Sequence, residues 1–197
     1  MVQAMRCQFA RAWLSALRCV FGFDPWHARA TYACRPYKKC IVDLANSLHP
    51  VTVVEVGCGL GEILGRINAE NRFGVDLDAR VIRAARFLRP RRIVWMVGSA
   101  AKLDERIAPA GLIDCLIMVN WIHNLSSAEL ASTLAPLLPR TRHLILDSVD
   151  YDAPASYRVK HDFVFLAGMA TQVAAIRVSG EPRRFLLFRT SVGELGT

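Results

Sequence analysis

The stretch that most constrains the fold is residues 51–62, VTVVEVGCGLGE. Its first half is a short run of β-branched apolar residues, which is typical of a strand that is buried on both faces. A glycine-rich turn follows at Gly57–Gly61, and the apolar residues between Ile63 and Ile67 then have helical spacing. This order favours a ligand with an anionic or nucleotide-like part over the turn, because helix N-termini attract anions. Glycines that serve only the packing of a tight turn are the alternative.

A second strand with acidic residues at its end follows in residues 73–78, FGVDLD. Asp76 lies about one helix and a turn after Gly61, where a carboxylate can accept hydrogen bonds from the hydroxyls of a ribose. Asp78 has the position of an N-cap for the helix that begins directly after it. A simple turn role for Asp76 is the competing interpretation.

These two segments resemble the class I S-adenosylmethionine-dependent methyltransferases. Residues 55–61, EVGCGLG, are similar to the first motif of that family, and residues 74–78, GVDLD, are similar to the second. The resemblance extends from about Val51 to Arg189. It implies an α/β fold: a doubly wound, mostly parallel seven-stranded sheet with a C-terminal antiparallel hairpin. A nicotinamide-binding domain is the rival, but its fingerprint has the last glycine one residue later, where this chain has Glu62.

The resemblance also implies a cofactor, S-adenosylmethionine, and the residues that contact it. The glycines would admit the methionine part, Asp76 would hold the ribose and Leu77 would pack on the adenine. The family commonly has Gly-Asp-Ala after its third strand, whereas this chain has Ser99 in place of the acid, which predicts a weaker adenine contact. The predicted cofactor contacts are Glu55, Gly57, Cys58, Gly59, Gly61, Asp76, Leu77, Ser99, Ala100 and Asn120.

The candidate catalytic residue is His123, in the run NWIHNL at residues 120–125 after the fourth predicted strand, 113–119. Ligands of open parallel sheets lie at the carboxyl ends of the strands, and many members of the family have a similar Asn/Ser-x-x-His run there. His123 is predicted to orient an acceptor or to take its proton. A histidine that only caps or packs is the alternative. Ser126 and Glu129 predict a capping box for the next helix.

Residues 1–50 are predicted to form an N-terminal helical extension or lid, and residues 51–197 the cofactor-binding domain. A predicted helix from Gln3 to Phe21 has apolar and basic sides and contains no acidic residue. Three interpretations compete: a helix that packs over the domain, a helix in peripheral contact with a membrane surface, and a targeting peptide.

Aromatic and basic residues dominate the segment between this helix and the first motif. In similar methyltransferases such a segment often closes over cofactor or substrate, and surface packing is the alternative for each side chain. The predicted substrate contacts are Trp26, Tyr32, Arg35, Tyr37 and, after the fourth strand, Trp121.

The remaining segments complete an alternating pattern of strands and helices. Residues 179–182 separate the last two strands as a hairpin turn, which a nicotinamide domain would not require. Further strands are predicted at 93–97, 143–149, 171–178 and 184–190, and further helices at 36–48, 128–138 and 157–169.

Composition limits the other function classes. Six scattered cysteines without a Cys-x-x-Cys pair predict free thiols in a reducing, cytoplasmic compartment and no metal site. No uncharged apolar run is long enough to span a bilayer, and no phosphate-loop or nucleophile-elbow motif occurs. The net charge is +8, with seven Lys/Arg and two Asp in residues 1–50. This favours an anionic partner, and ordinary solubility charge is the alternative.

The predicted function is methyl transfer from S-adenosylmethionine to an oxygen or nitrogen of a small or medium acceptor, with an anionic acceptor favoured by the basic N-terminus. Small metabolites, glycans and lipid-linked molecules are open as acceptors, and no nucleic-acid-binding module is recognisable. A non-catalytic methyltransferase-like subunit and a nicotinamide-dependent oxidoreductase are the alternatives.

Overall fold

A mostly parallel sheet forms the centre of the protein in a computed structural model, which describes residues 2–89, 92–99, 103, 111–150 and 157–194. The strands are β1 (Thr52–Val56), β2 (Asn71–Asp76), β3 (Val94–Val97), β4 (Ile113–Met118), β5 (Thr141–Val149), β6 (Ala170–Arg177) and β7 (Arg183–Thr190). Their order in this seven-stranded sheet is β3-β2-β1-β4-β5-β7-β6. Only β7 runs antiparallel to its neighbours β5 and β6 among these pairs. The predicted fold class is confirmed.

Local sequence signals set several helix ends. The helices are α1 (Val2–Phe21), α2 (Pro25–Arg29), α3 (Pro36–Ser47), α4 (Ala79–Leu88), α5 (Ser127–Leu134) and α6 (Ser191–Glu194). Proline opens α2 and α3, where its missing N–H costs no helical hydrogen bond. The predicted cap at Asp78 is present, because its carboxylate accepts a hydrogen bond from the amide of Arg80. The predicted capping box of Ser126 and Glu129 is also present.

Alternate residues of β1 enter two apolar layers on opposite sides of the sheet, as a strand buried on both faces requires. Val54 packs in one layer with Leu130 of α5. Val53 packs in the other with Ile41 of α3 and Ile82 of α4. A third apolar cluster attaches α1 to the domain and contains Leu14, Leu17, Phe23, Ala28, Leu60, Val81 and Ala84.

The prediction of a helix directly after the glycine turn is wrong. Residues Leu64–Arg66 form one turn of 3-10 helix, and β2 already begins at Asn71. The buried carboxylate of Glu55 accepts a hydrogen bond from the amide of Leu64 at 3.0 Å. The short connection therefore keeps its apolar residues buried without forming a regular α-helix.

The prediction of a helix at residues 157–169 is also wrong. Regular structure there is limited to one 3-10 turn, Val164–Leu166, preceded by Phe163 in the left-handed region at φ 59°. The His161 ring lies 3.0 Å from the carbonyl oxygen of Ile122, and the His161 carbonyl accepts a hydrogen bond from Ser148. These distant partners fix the segment in an irregular, non-helical conformation, which overrides its local helical pattern. The predicted helix at 128–138 likewise ends early, at Leu134.

The expectation of six free thiols is wrong for two of them. Cys7 of α1 and Cys34 form a disulfide across 27 residues of sequence. Packing of α1 against the 3-10 turn Tyr32–Cys34 brings their Cα atoms to 5.0 Å, within the range that a disulfide needs. Cys19, Cys40, Cys58 and Cys115 are free. The bond removes the cysteine-based argument for a reducing compartment.

Across the described ranges, no helix combines the length and apolar character that crossing a membrane requires. The longest of these helices, α1, carries arginines at positions 6, 11 and 18.

Candidate functional site

A cavity of about 420 Å³ lies at the carboxyl ends of β1 to β4. The sheet register pairs Val56 with Val75 and with Met118, so the turns that follow these strands meet at one edge. The residues predicted for the site that line this cavity are Gly57, Asp76, Leu77, Ser99, Asn120, Trp26 and Trp121.

A second, smaller cavity of about 60 Å³ adjoins the first. The two cavities share Trp26, His27, Gly57 and Asn120. The predicted residues found only in the smaller cavity are Glu55, Cys58, Gly59 and Tyr37. Residues of the glycine turn therefore line both cavities, as a turn that contacts a ligand through its backbone requires.

Glycine is obligatory at two positions of the turn. Gly57 has φ 72°, and a Cβ there would lie 2.4 Å from the ring of Trp121. Gly61 has φ 65°, and a Cβ there would lie 2.2 Å from the ring of Trp95. Gly61 lines neither of the two cavities. Its requirement therefore comes from close packing on Trp95, the interpretation left open for a tight turn.

The Asp76 carboxylate is held in place by two backbone amides. One oxygen accepts a hydrogen bond from Gly59 at 2.9 Å, and the other accepts one from Asp78 at 3.0 Å. Each carboxylate oxygen can accept a further hydrogen bond, and the side chain lines the larger cavity. The arrangement suits a ligand with two neighbouring hydroxyls, which fits the ribose of the expected cofactor.

Glu55 supports the turn from within the protein. Its carboxyl group is buried and bonds to Leu64. Burial raises the pKa of Glu55 to about 8, although the Leu64 amide acts in the opposite direction. The side chain therefore exists mainly in its neutral form at pH 7.

We expect Glu55→Gln to stabilise the protein relative to wild type as the pH rises. Below pH 4.5 the carboxyl of Glu55 is protonated in both the folded and the unfolded protein. Between pH 4.5 and about 8 it ionises in the unfolded protein first, so wild type loses stability over that interval. The Tm difference between variant and wild type should grow across that interval and then level off, by calorimetry. Glu129→Gln, at an exposed carboxyl whose pKa is lowered by its bonds to Ser126, serves as the control. A constant Tm difference for Glu55→Gln would contradict the assignment.

The N-terminal segment covers the glycine turn. The imidazole of His27 lies 3.2 Å from the Cβ position of Gly59. Burial lowers the pKa of His27, although Asp76 acts in the opposite direction. Glu62 attaches this segment, because its carboxylate accepts hydrogen bonds from the Tyr32 amide at 2.9 Å and from Lys38 at 2.6 Å. Sequence reasoning missed His27 and Glu62, whose partners lie about 30 residues away in sequence.

The five predicted substrate residues divide into three groups. Trp26 and Trp121 line the larger cavity, and the Trp121 indole donates a hydrogen bond to the carbonyl of Val56 at 2.7 Å. Tyr37 lines the smaller cavity and stacks on the ring of Phe185. Burial raises the pKa of Tyr37 to about 12, so its hydroxyl stays protonated.

Tyr32 and Arg35 line neither of these cavities. The guanidinium of Arg66 lies 3.9 Å from the centre of the Tyr32 ring. Arg35 lies over the ring of Trp26 at 5.2 Å and pairs with Glu181 at 3.8 Å. In this structure both side chains make the surface contacts that were their alternative interpretation.

His123 lies next to the cavity wall but is not part of its lining. It belongs to a 3-10 turn, Ile122–Asn124, and its ring packs edge-on against Tyr157 with centroids 4.8 Å apart. Burial lowers the pKa of His123, although Asp147 acts in the opposite direction; the shift favours the neutral ring. Its Nδ1 atom is buried without a hydrogen-bond partner in the described structure, an environment that disfavours the protonated ring.

A buried charge cluster lies beside this histidine, and Arg183 is its centre. The guanidinium donates to Asp147 at 2.9 Å, to Asn120 at 2.6 Å and to Glu181 at 3.0 Å. The guanidinium also lies over the Tyr37 ring at 4.7 Å. Sequence reasoning missed Arg183, because the hairpin that carries it returns from the far end of the chain.

No protein-family model matches this chain, and no curated protein matches it. Solved structures are similar to this chain over most of its length. Magnesium protoporphyrin IX methyltransferase ChlM from Synechocystis PCC 6803, with bound SAM, is 14% identical over 96% of this chain and 97% of its own, with a TM-score of 0.62. An O-methyltransferase family protein from Burkholderia thailandensis is 15% identical over 87% of this chain and 61% of its own, with a TM-score of 0.63. TehB from Haemophilus influenzae is 12% identical over 85% of this chain and 66% of its own, with a TM-score of 0.62.

The fold is that of the class I methyltransferases. In this methyltransferase fold the larger cavity occupies the edge where the first two sequence motifs meet. Ser99, which replaces the acid common in the family, lines the cavity beyond β3. The predicted contact at Ala100 lies outside the described residues.

Proposed function

We propose that this protein transfers a methyl group from S-adenosylmethionine to a small or medium acceptor. One observation carries the proposal: the Asp76 carboxylate and the Gly57 backbone line the same cavity, and Asp76 has acceptor capacity to spare. The similar ChlM structure contains bound SAM, which supports the choice of cofactor.

The residues of the cavity would divide the work of binding. The methionine part would lie beside the Gly57 backbone, which lines both cavities, and Asp76 would accept hydrogen bonds from both ribose hydroxyls. Leu77, which is 75% exposed, would pack on the adenine, with Ser99 at its edge. Asn120 would face the methionine part, in an orientation fixed by its bond to Arg183.

The bound cofactor supplies a methyl group already activated on a sulfonium. The protein then has to align the acceptor for in-line attack and exclude water. Trp26 and His27 would close the site from the N-terminal side, since both line the two adjoining cavities. The basic N-terminal segment supports an anionic acceptor, such as an acidic metabolite or glycan.

Calorimetric titration tests the cofactor directly. S-adenosylmethionine and S-adenosylhomocysteine should bind at micromolar concentration, and NADH should not bind. The nicotinamide alternative would require the opposite result. If the folded protein binds none of these three ligands, the result would favour a non-catalytic subunit. Ser99 and the position of His123 outside the cavity lining support that alternative.

We expect His123→Ala to lower methyl transfer about 10²-fold or more when the acceptor is a hydroxyl, as loss of a general base does. Affinity for S-adenosylmethionine should stay unchanged. The assay follows tritium transfer from labelled S-adenosylmethionine to acidic glycans and small metabolites. His143→Ala is the control, because its ring bonds to the Asp114 carbonyl in the sheet and lines neither cavity. Normal turnover in His123→Ala would remove His123 from the mechanism.

A further inference from the structure

Helix α1 carries an apolar strip that no other described residue covers. The strip consists of Val2, Met5, Phe9, Trp13 and Val20, which are 50–78% exposed. Their spacing along a helix places them on one face. The adjacent face of the same helix is occupied, because Leu14 and Leu17 are buried against the domain.

The helix that carries this strip has a net positive charge, and Arg6 lies beside the strip at helical spacing. Helix α1 contains arginines at 6, 11 and 18 and no acidic residue. Helix α4 lies alongside, with the rings of Phe21 and Phe87 5.5 Å apart, and it adds the exposed side chains of Arg83 and Phe87. Exposed aromatic and aliphatic groups next to arginines are the composition of helices that lie in an anionic lipid interface.

We propose that α1 binds an anionic membrane surface, with the exposed strip inserted between lipid headgroups, Arg6 beside the lipid phosphates and the net positive charge of the helix attracted to the surface. Charge complementarity favours lipid over a second copy of this chain. Two helices α1 that met would each carry three arginines and no acidic residue to compensate them. The proposal does not depend on methyl transfer.

The helix is attached firmly enough to orient the protein on such a surface. Cys7 is bonded to Cys34, and the Gln3 side chain donates a hydrogen bond to the Ala33 carbonyl at 2.5 Å. Leu14 and Leu17 fix the middle of the helix. Binding through α1 would therefore fix the orientation of the whole domain, including the neighbouring segment that carries Trp26.

Vesicle flotation tests the proposal with the full chain. The protein should float with vesicles of phosphatidylcholine mixed with phosphatidylglycerol, and much less with phosphatidylcholine alone. Phe9→Ser/Trp13→Ser should weaken binding to the mixed vesicles by about tenfold or more, because two large apolar groups no longer leave water. The matched control is Val164→Ser/Val173→Ser, which alters exposed apolar side chains outside α1. Both double variants should keep the circular dichroism spectrum of wild type.

Two results would overturn the proposal. Equal binding by Phe9→Ser/Trp13→Ser and wild type would mean that the net charge alone attracts the vesicles. A concentration-dependent dimer that disappears in this variant, without vesicle binding by wild type, would assign the strip to a second copy. Brominated lipid gives an independent readout, because it should quench the fluorescence of Trp13 in wild type. In Trp13→Phe the quenching that comes from Trp13 should be absent.

Discussion

Asp76→Ala should raise the dissociation constant for S-adenosylmethionine by at least about 100-fold, which corresponds to roughly 3 kcal/mol. The substitution removes the acceptor for two ribose hydroxyls, and hydrogen bonds to a charged group contribute about 1.5–3 kcal/mol each. It also frees the amides of Gly59 and Asp78, so the glycine turn loses a support. Calorimetric titration at a temperature where the variant is folded measures the effect.

Asp78→Ala is the matched control, because this carboxylate lies two residues away and caps α4 instead of facing the cavity. It should lower stability by about 1 kcal/mol, as loss of an N-cap does, and leave cofactor affinity within about threefold of wild type. Asp76→Asn separates binding from folding, since an amide oxygen can replace one acceptor of the turn amides. Unchanged affinity in both Asp76 variants would contradict the assigned cofactor site.

Arg183→Met should destabilise the protein by about 3–5 kcal/mol, the usual cost of leaving a buried charge without its partner. The Arg183 side chain is 5% exposed and that of Asp147 is fully buried. The Asp147 carboxylate also accepts the Asn120 amide, so the substitution affects the turn that follows β4. Urea denaturation measures the change in the free energy of unfolding.

Arg177→Met on the same hairpin provides the control. Arg177 pairs with Asp150, but its side chain is 66% exposed, and exposed ion pairs contribute about 0–1 kcal/mol. Adding Asp147→Asn to Arg183→Met should recover at least about 1 kcal/mol, because the orphaned charge is removed. If Arg183→Met loses no more stability than Arg177→Met, the charge cluster around Arg183 does not support the fold.

Sequence alone predicted the features that depend on neighbours in sequence. The strand, the glycine turn and Asp76 follow from short patterns, and parallel register brings Val56 and Val75 together so that their turns meet. The cap at Asp78 is similarly local. Such features are predictable because their partners lie within a few residues.

The errors arose where distant segments meet. Residues 157–169 have a helical pattern, but the contacts of His161 with Ile122 and Ser148 hold the segment in a non-helical conformation. The Cys7–Cys34 bond depends on how α1 folds back on the next turn. The cluster around Arg183 depends on the hairpin return of β7. No local pattern encodes these contacts, so they required the three-dimensional structure.

The Cys7–Cys34 bond closes a covalent ring that contains Trp26 and His27, the residues next to the glycine turn. Protein kept with a dithiol reductant and protein kept without it are therefore two different molecules, separated by two hydrogen atoms in mass. In the oxidised form the ring limits how far this segment can move from the cavities, whereas reduction lets its ends separate. Ligand affinities measured in the two buffers describe two separate species, and each titration should begin with a count of free thiols.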